Sequence, residues 1–198
     1  MDKKVKEVLD RSWSNKRNWF IKLFTKNDSE LIKTLPDLNE IVDKSLFICG
    51  DIETGKTVLA ERLMIEHYKN WLYDVRVINQ VIEQKTPMPT YLSSSLFEFY
   101  LELRSTFHKT DITEKEVIDK YVYVDVLILD DIAVEKSSEW AYSSLYWIIN
   151  QRMQKNKITI ITSNYTLEEL MEKSYLDARI VRRIKKSYDF VIKQHWDK

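Results

Sequence analysis

Glycine is the scarcest structural resource in this chain, and where it is kept limits what the chain can become. Ordinary usage of about 7% would place roughly fourteen glycines in a chain of this length. There are two in 198 residues, Gly50 and Gly55. Both fall within Gly50-Asp51-Ile52-Glu53-Thr54-Gly55-Lys56-Thr57. A sequence that dispenses with glycine everywhere else keeps it where the backbone has to approach a ligand closely.

That stretch fits the pattern G-x-x-x-x-G-K-[ST], a loop whose backbone N–H groups cradle phosphates. The pattern demands a buried strand before it and a helix after it. Leu46-Phe-Ile-Cys49 is a short apolar run suited to a parallel strand. From Val58 onward Leu59, Leu63 and Tyr68 recur near helical spacing with no breaker. The expected chemistry is then specific. Residues 50–58 bind the triphosphate of ATP, where the N–H groups and dipole of a helix start favour anions. Lys56 supplies a point charge, and the Thr57 hydroxyl is a ligand for Mg²⁺.

The second half of such a site is an acidic residue at the end of a buried strand. Val124-Asp-Val-Leu-Ile-Leu-Asp130-Asp131 provides two. Ligands of open α/β sheets bind at the carboxyl ends of strands. Asp130 is therefore expected beside Mg²⁺, and Asp131 is the candidate for orienting an attacking water. A third β-branched run, Lys157-Ile-Thr-Ile-Ile-Thr162-Ser163-Asn164, also ends in polar residues. Its Asn164 is a candidate to hydrogen-bond both the γ-phosphate and that water.

These blocks resemble the DnaC/DnaI-type helicase loaders, a branch of the AAA+ ATPases related to the IstB-like ATP-binding proteins. The similarity lies in Asp130-Asp131-Ile132, in Tyr146–Met153 followed by Thr159–Asn164, and in Leu176-Asp-Ala-Arg179-Ile-Val-Arg182-Arg183-Ile184. It covers about 45–198 and is closest over 124–184. The resemblance implies an α/β, ASCE-type P-loop NTPase fold: a five-stranded parallel sheet flanked by helices, with the P-loop strand central. It implies ATP bound between subunits, with Arg179 touching nucleotide and Arg183 as the arginine finger. The implied partners are a replicative helicase, single-stranded DNA and further copies of the chain in an ATP-dependent homo-oligomer.

Three departures refine the expectation. Asp131 stands where most AAA+ proteins carry glutamate, one methylene longer, so hydrolysis is expected to be slow and stimulated by a partner or DNA. Glu53 replaces the usual middle glycine of the loop and puts an anion in an anion cradle. The chain stops near where loaders continue towards a further arginine, so no full C-terminal lid domain is expected. Two alternatives share the core chemistry: an IstB-like transposition ATPase acting on target DNA and a transposase, and a near-inactive ATP-dependent adaptor.

Composition narrows the classes further. Hydrophobic residues at 44% and charged residues at 31% fit a globular chain, with one ATPase core at 45–198 and a helical extension at 1–44. Lys+Arg and Asp+Glu both number 31, so net charge points to neither nucleic acid nor membrane, and any basic patch is local. No apolar run approaches the roughly 18 residues of a spanning helix. The single Cys49 excludes an internal disulfide framework, fits a cytoplasmic location and, with three scattered histidines, gives no zinc site.

Elsewhere the pattern is coarser. Residues 1–26 read as helix with aromatic faces, either a partner-binding element or one packed on the core. Residues 28–44 read as a second helix interrupted at Pro36. The edge strand is either Val75–Ile82 or the segment around Thr90–Leu92. Ser95–Arg104 reads as helix, Thr113–Glu116 as a capping box opening another, and Tyr188–Ile192 as the last strand.

Overall fold

The computed structural model describes residues 41–81, 87–108, 111–132, 139–188 and 190–194, together with the backbone only at 73–81, 187 and 190–194. The expected helices over 1–26 and most of 28–44 lie outside the described residues. Ile41–Lys198 form one compact unit.

The order of elements is β1 (Leu46–Gly50), α1 (Lys56–Val81), β2 (Tyr91–Ser95), α2 (Leu96–Ser105), α3 (Glu114–Tyr123), β3 (Val126–Asp130), α4 (Glu139–Gln154), β4 (Ile158–Ser163), α5 (Leu167–Glu172), α6 (Ala178–Ser187) and β5 (Phe190–Gln194). The strands form one five-stranded sheet in the order β2-β3-β4-β1-β5, every pair parallel. The P-loop strand is therefore interior but not central, which corrects the expectation. β4 pairs with both β1 and β3, so the strand ending in Ser163 occupies the middle. Cys49 stands opposite Ser163, and Leu129 opposite Ile161, so the tips of β1, β4 and β3 are level.

Strand alternation divides the core between two faces. Phe47, Cys49, Leu127, Leu129 and Ile161 join one cluster with Phe99, Tyr121, Ile148, Leu170 and Ile184, which come from α2, α3, α4, α5 and α6. On the other face α1 packs against β1, β3 and β4 and buries Leu59, Ala60 and Leu63. A buried parallel sheet of this kind needs helices on both sides, because its strands are apolar on both sides.

Local chemistry sets the helix starts. Ser95 with Glu98, Thr113 with Glu116 and Thr166 with Glu169 form reciprocal capping boxes at α2, α3 and α5. Asp177 caps α6 by accepting from the Arg179 N–H. The edge-strand alternatives resolve in favour of Tyr91–Ser95, since Val75–Val81 continue α1. Tyr188 caps the end of α6, and the last strand begins two residues later than expected.

Candidate nucleotide site

The glycine loop turns back sharply after β1. Gly55 takes φ 82°, a left-handed value for which glycine carries no steric penalty. Glu53 takes φ 65°, where a side chain costs about 1–2 kcal/mol. The turn is fastened by Thr54, whose hydroxyl donates to the Asp51 carbonyl at 2.9 Å. Lys56 reaches back over the loop and donates to the carbonyls of Gly50 (3.0 Å) and Asp51 (2.6 Å). Burial lowers its ammonium pKa, opposed by the carboxylates of Asp131, Asp130 and Asp51. Burial has thus stripped part of the ammonium's hydration, and the surrounding carboxylates compensate.

Asp130 stands across from the loop at the end of β3. Its Oδ1 accepts from the Thr57 hydroxyl at 2.8 Å and from the Thr162 hydroxyl at 2.6 Å. Asp131 leaves the strand at φ 51°. Its backbone N–H donates to Thr162 Oγ1 at 2.9 Å, and its Oδ1 accepts from Asn164 Nδ2 at 3.3 Å. Partial desolvation raises the Asp131 carboxyl pKa, Asp130 adds to the rise, and Lys56 opposes it.

Together these groups enclose a cleft of about 270 Å³ lined by Glu53, Gly55, Lys56, Thr57 and Val58 on one side. Asp130, Asp131, Thr162 and Asn164 line the other. Gly50, Asp51, Ile52 and Thr54 shape the loop without lining the cleft. A larger cavity of about 510 Å³ lies where β1, β3 and β4 begin, beside Asp43, Asp125 and Lys157. It is at the amino ends of the strands, the wrong end for an open α/β sheet to hold its ligand.

The donors fit Mg²⁺ on chemical grounds. Thr57 Oγ1 and Asp130 Oδ1 are hard oxygen atoms only 2.8 Å apart. Among the described residues no group of three or more His, Cys, Asp or Glu forms an all-protein metal cage. That is the pattern for a cation held by one or two protein oxygens plus substrate phosphates and water.

Arg179 and Arg183 do not line this cleft. Arg179 is exposed, and its guanidinium grips the Asp177 carboxylate at 3.0 and 3.1 Å. Arg183 Nη2 donates to Tyr146 Oη at 3.2 Å. Both guanidinium groups stand over the Tyr146 ring, 5.4 and 5.7 Å from its centroid.

Sequence reasoning assigned no role to Thr162. A hydroxyl 1% exposed at the end of a β-branched strand must find partners. Its place near the end of a β-branched run was the available signal. Tyr146 carried no such signal, because one tyrosine among eleven at helical spacing reads as core.

No family model matches the chain. It is similar to the chromosomal replication initiator protein DnaA of Mycoplasma genitalium, 25% identical over 150 residues, which cover 76% of this chain. The chain spans about 30% of that relative's length. A solved replication initiator DnaA bound to AMPPCP and single-stranded DNA matches with a TM-score of 0.63 and 20% identity, over 81% of this chain and 44% of that one. A solved DnaC helicase loader matches with a TM-score of 0.56 and 20% identity, over 80% of this chain and 86% of that one. The fold is that of the AAA+ P-loop NTPase domains, an α/β sheet with helices on its faces.

Proposed function

We propose that this chain binds Mg·ATP at Gly50–Val58 and Asp130, hydrolyses it slowly, and loads a replicative helicase onto single-stranded DNA. The carrying observation is the meeting of Lys56, Thr57, Asp130, Asp131 and Asn164 in one cleft at level strand tips. The similarity to DnaA, solved with AMPPCP and single-stranded DNA, and to the DnaC helicase loader supports nucleotide and replication chemistry. The loader reading is favoured because the DnaC match covers 86% of that chain.

Each residue then has a defined task. The loop N–H groups and Lys56 bind the phosphates. Thr57 and Asp130 would hold Mg²⁺, which supplies charge neutralisation at the phosphate oxygens. Asp131, held by Asn164, accepts a hydrogen bond from the water that attacks the γ-phosphate and so aligns it. Asn164 reads the γ-phosphate from the tip of β4. Arg183 acts on the site of a neighbouring copy, with Arg179 beside it, because neither reaches the cleft of its own chain. That arrangement makes hydrolysis depend on an ATP-driven homo-oligomer. Among the described residues no helix is long and apolar enough to cross a membrane, and a cytoplasmic replication partner accords with that.

Co-purification with the replicative helicase, with and without ATP, tests the proposal. ATP-dependent capture that disappears in Lys56→Ala is expected. Assembly on duplex DNA with a transposase and no helicase would transfer the chain to the IstB-like reading. Undiminished ATP binding by Lys56→Ala would remove the nucleotide site itself.

A further inference from the structure

Tyr146 lies on α4, the helix packed against α6, and its ring is seated on the main hydrophobic cluster. Two guanidinium groups from α6 share that ring. Arg179 and Arg183 are four residues apart and so lie on one face of the helix. Two like charges at that spacing repel, and an arginine side chain has many rotamers to sample. The ring answers both difficulties. Its negative face attracts each cation, at 5.4 Å for Arg179 and 5.7 Å for Arg183. Its hydroxyl accepts one N–H from Arg183 Nη2 at 3.2 Å. That bond uses one edge of the Arg183 fork and leaves other N–H groups of the same plane to face an anion. Asp177 meanwhile neutralises Arg179 through a two-pronged contact, so the pair is not equivalent. Among the described residues no carboxylate pairs with Arg183, which is half-buried beside the ring.

We infer that Tyr146 is a positioning residue for the arginine that acts in trans: it stations Arg183 in one orientation on the outside of its own subunit, ready for the γ-phosphate held by a neighbour. The inference rests on the reading of Arg183 as trans-acting. Pre-orientation matters here because the arginine contributes to the transition state only if its fork is already aimed, and freezing a free side chain at that moment would raise the barrier. Tyr146 touches no nucleotide and takes no part in proton transfer.

The test is a cycle of four proteins, the parent, Tyr146→Leu, Arg183→Ala and the double variant, with Tyr146→Phe as the conservative arm. Steady-state ATP hydrolysis gives kcat, and titration with a fluorescent ATP analogue gives nucleotide affinity. Removing the ring is expected to lower kcat about tenfold, and removing the hydroxyl alone about threefold, with affinity changed by less than about twofold. The double variant is expected to be no slower than Arg183→Ala, since the ring has nothing left to aim. Additive losses would overturn the inference, as would a shift in affinity in place of kcat. Should Tyr146→Leu fail to fold by thermal melting, Tyr146→Phe decides, and a parental kcat there overturns the inference. If Arg183→Ala itself turns over at the parental rate, the trans-arginine reading fails and this inference with it. If Arg183→Ala is slow while the Tyr146 variants are not, only the inference fails.

Discussion

At the scale of single residues, Glu53 is the position that works against its own surroundings. Its backbone is left-handed at φ 65°, and its residue lines the cleft intended for phosphates. Glu53→Gly relieves both the steric cost and the charge. It should tighten nucleotide binding about three- to tenfold and raise stability by about 0.5 kcal/mol, the gain reduced by glycine's greater freedom when unfolded. Fluorescent-nucleotide titration and thermal melting measure the two effects, and weaker binding would show that Glu53 contributes a needed contact. Asp131 gives a pH signature. Its carboxyl pKa is raised above the ordinary 3.8 by desolvation and by Asp130. The folded chain therefore holds that proton more tightly than the unfolded chain. The destabilisation from this group is fully present above the raised value and is relieved as pH falls through it towards 3.8. Hydrolysis runs the other way, because the water-orienting group must be ionised. If Asp131 orients the water as proposed, the acid limb of kcat/KM, which reports the free protein, should lie above the ordinary Asp value, and Asp131→Asn should abolish the limb together with most turnover.

At the scale of elements, Arg152 is the strongest constraint, and it is structural. Its side chain is 0% exposed. Its guanidinium donates to Thr159 Oγ1 and to the carbonyls of Tyr121, Val124 and Ile158, among others. Burial pulls its pKa down to about 10, which leaves it charged at neutral pH. One side chain thus ties the end of α3 to the starts of β3 and β4. Arg152→Ala should cost about 3–5 kcal/mol in a urea melt, because it strands several buried carbonyls. Arg152→Lys should recover part of this, keeping the charge while losing the planar fork. The sequence could not announce this role, since an arginine in a helix reads as solvated surface until the carbonyls it meets are known. Where the determinants were local, elements were legible. The apolar spacing over Ser95–Arg104 and the Thr113 capping box placed α2 and α3 closely, and the apolar runs ahead of Gly50, Asp130 and Asn164 placed three strand tips. Val75-Arg-Val-Ile looked like a strand because β-branched residues recur there. The helix that began at the phosphate loop carries through them to Val81. The pairing of β4 with β1 spans more than a hundred residues and that with β3 about thirty, and neither left a local mark.

At the scale of the whole molecule, the cleft gathers Lys56, Thr57, Asp130, Asp131 and Asn164, while Arg179 and Arg183, which the proposed function assigns to a neighbour's site, sit elsewhere on the same chain. Arg183→Ala should therefore leave ATP affinity within about twofold. It should slow turnover by about 10²-fold or more and abolish ATP-dependent assembly in sedimentation. Parental sedimentation would sink the shared-site arrangement. One buried atom has a wider consequence. Thr162 Oγ1 gives its hydrogen to Asp130 and takes one from the Asp131 backbone, so a single oxygen from β4 rivets both aspartates of β3. The two tips must then travel in lockstep. If Asn164 and Asp130 act as proposed, a tug on Asn164 by a departing phosphate would pass through Asp131 and Thr162 to the carboxylate that would hold the cation, with no helix having to move as messenger.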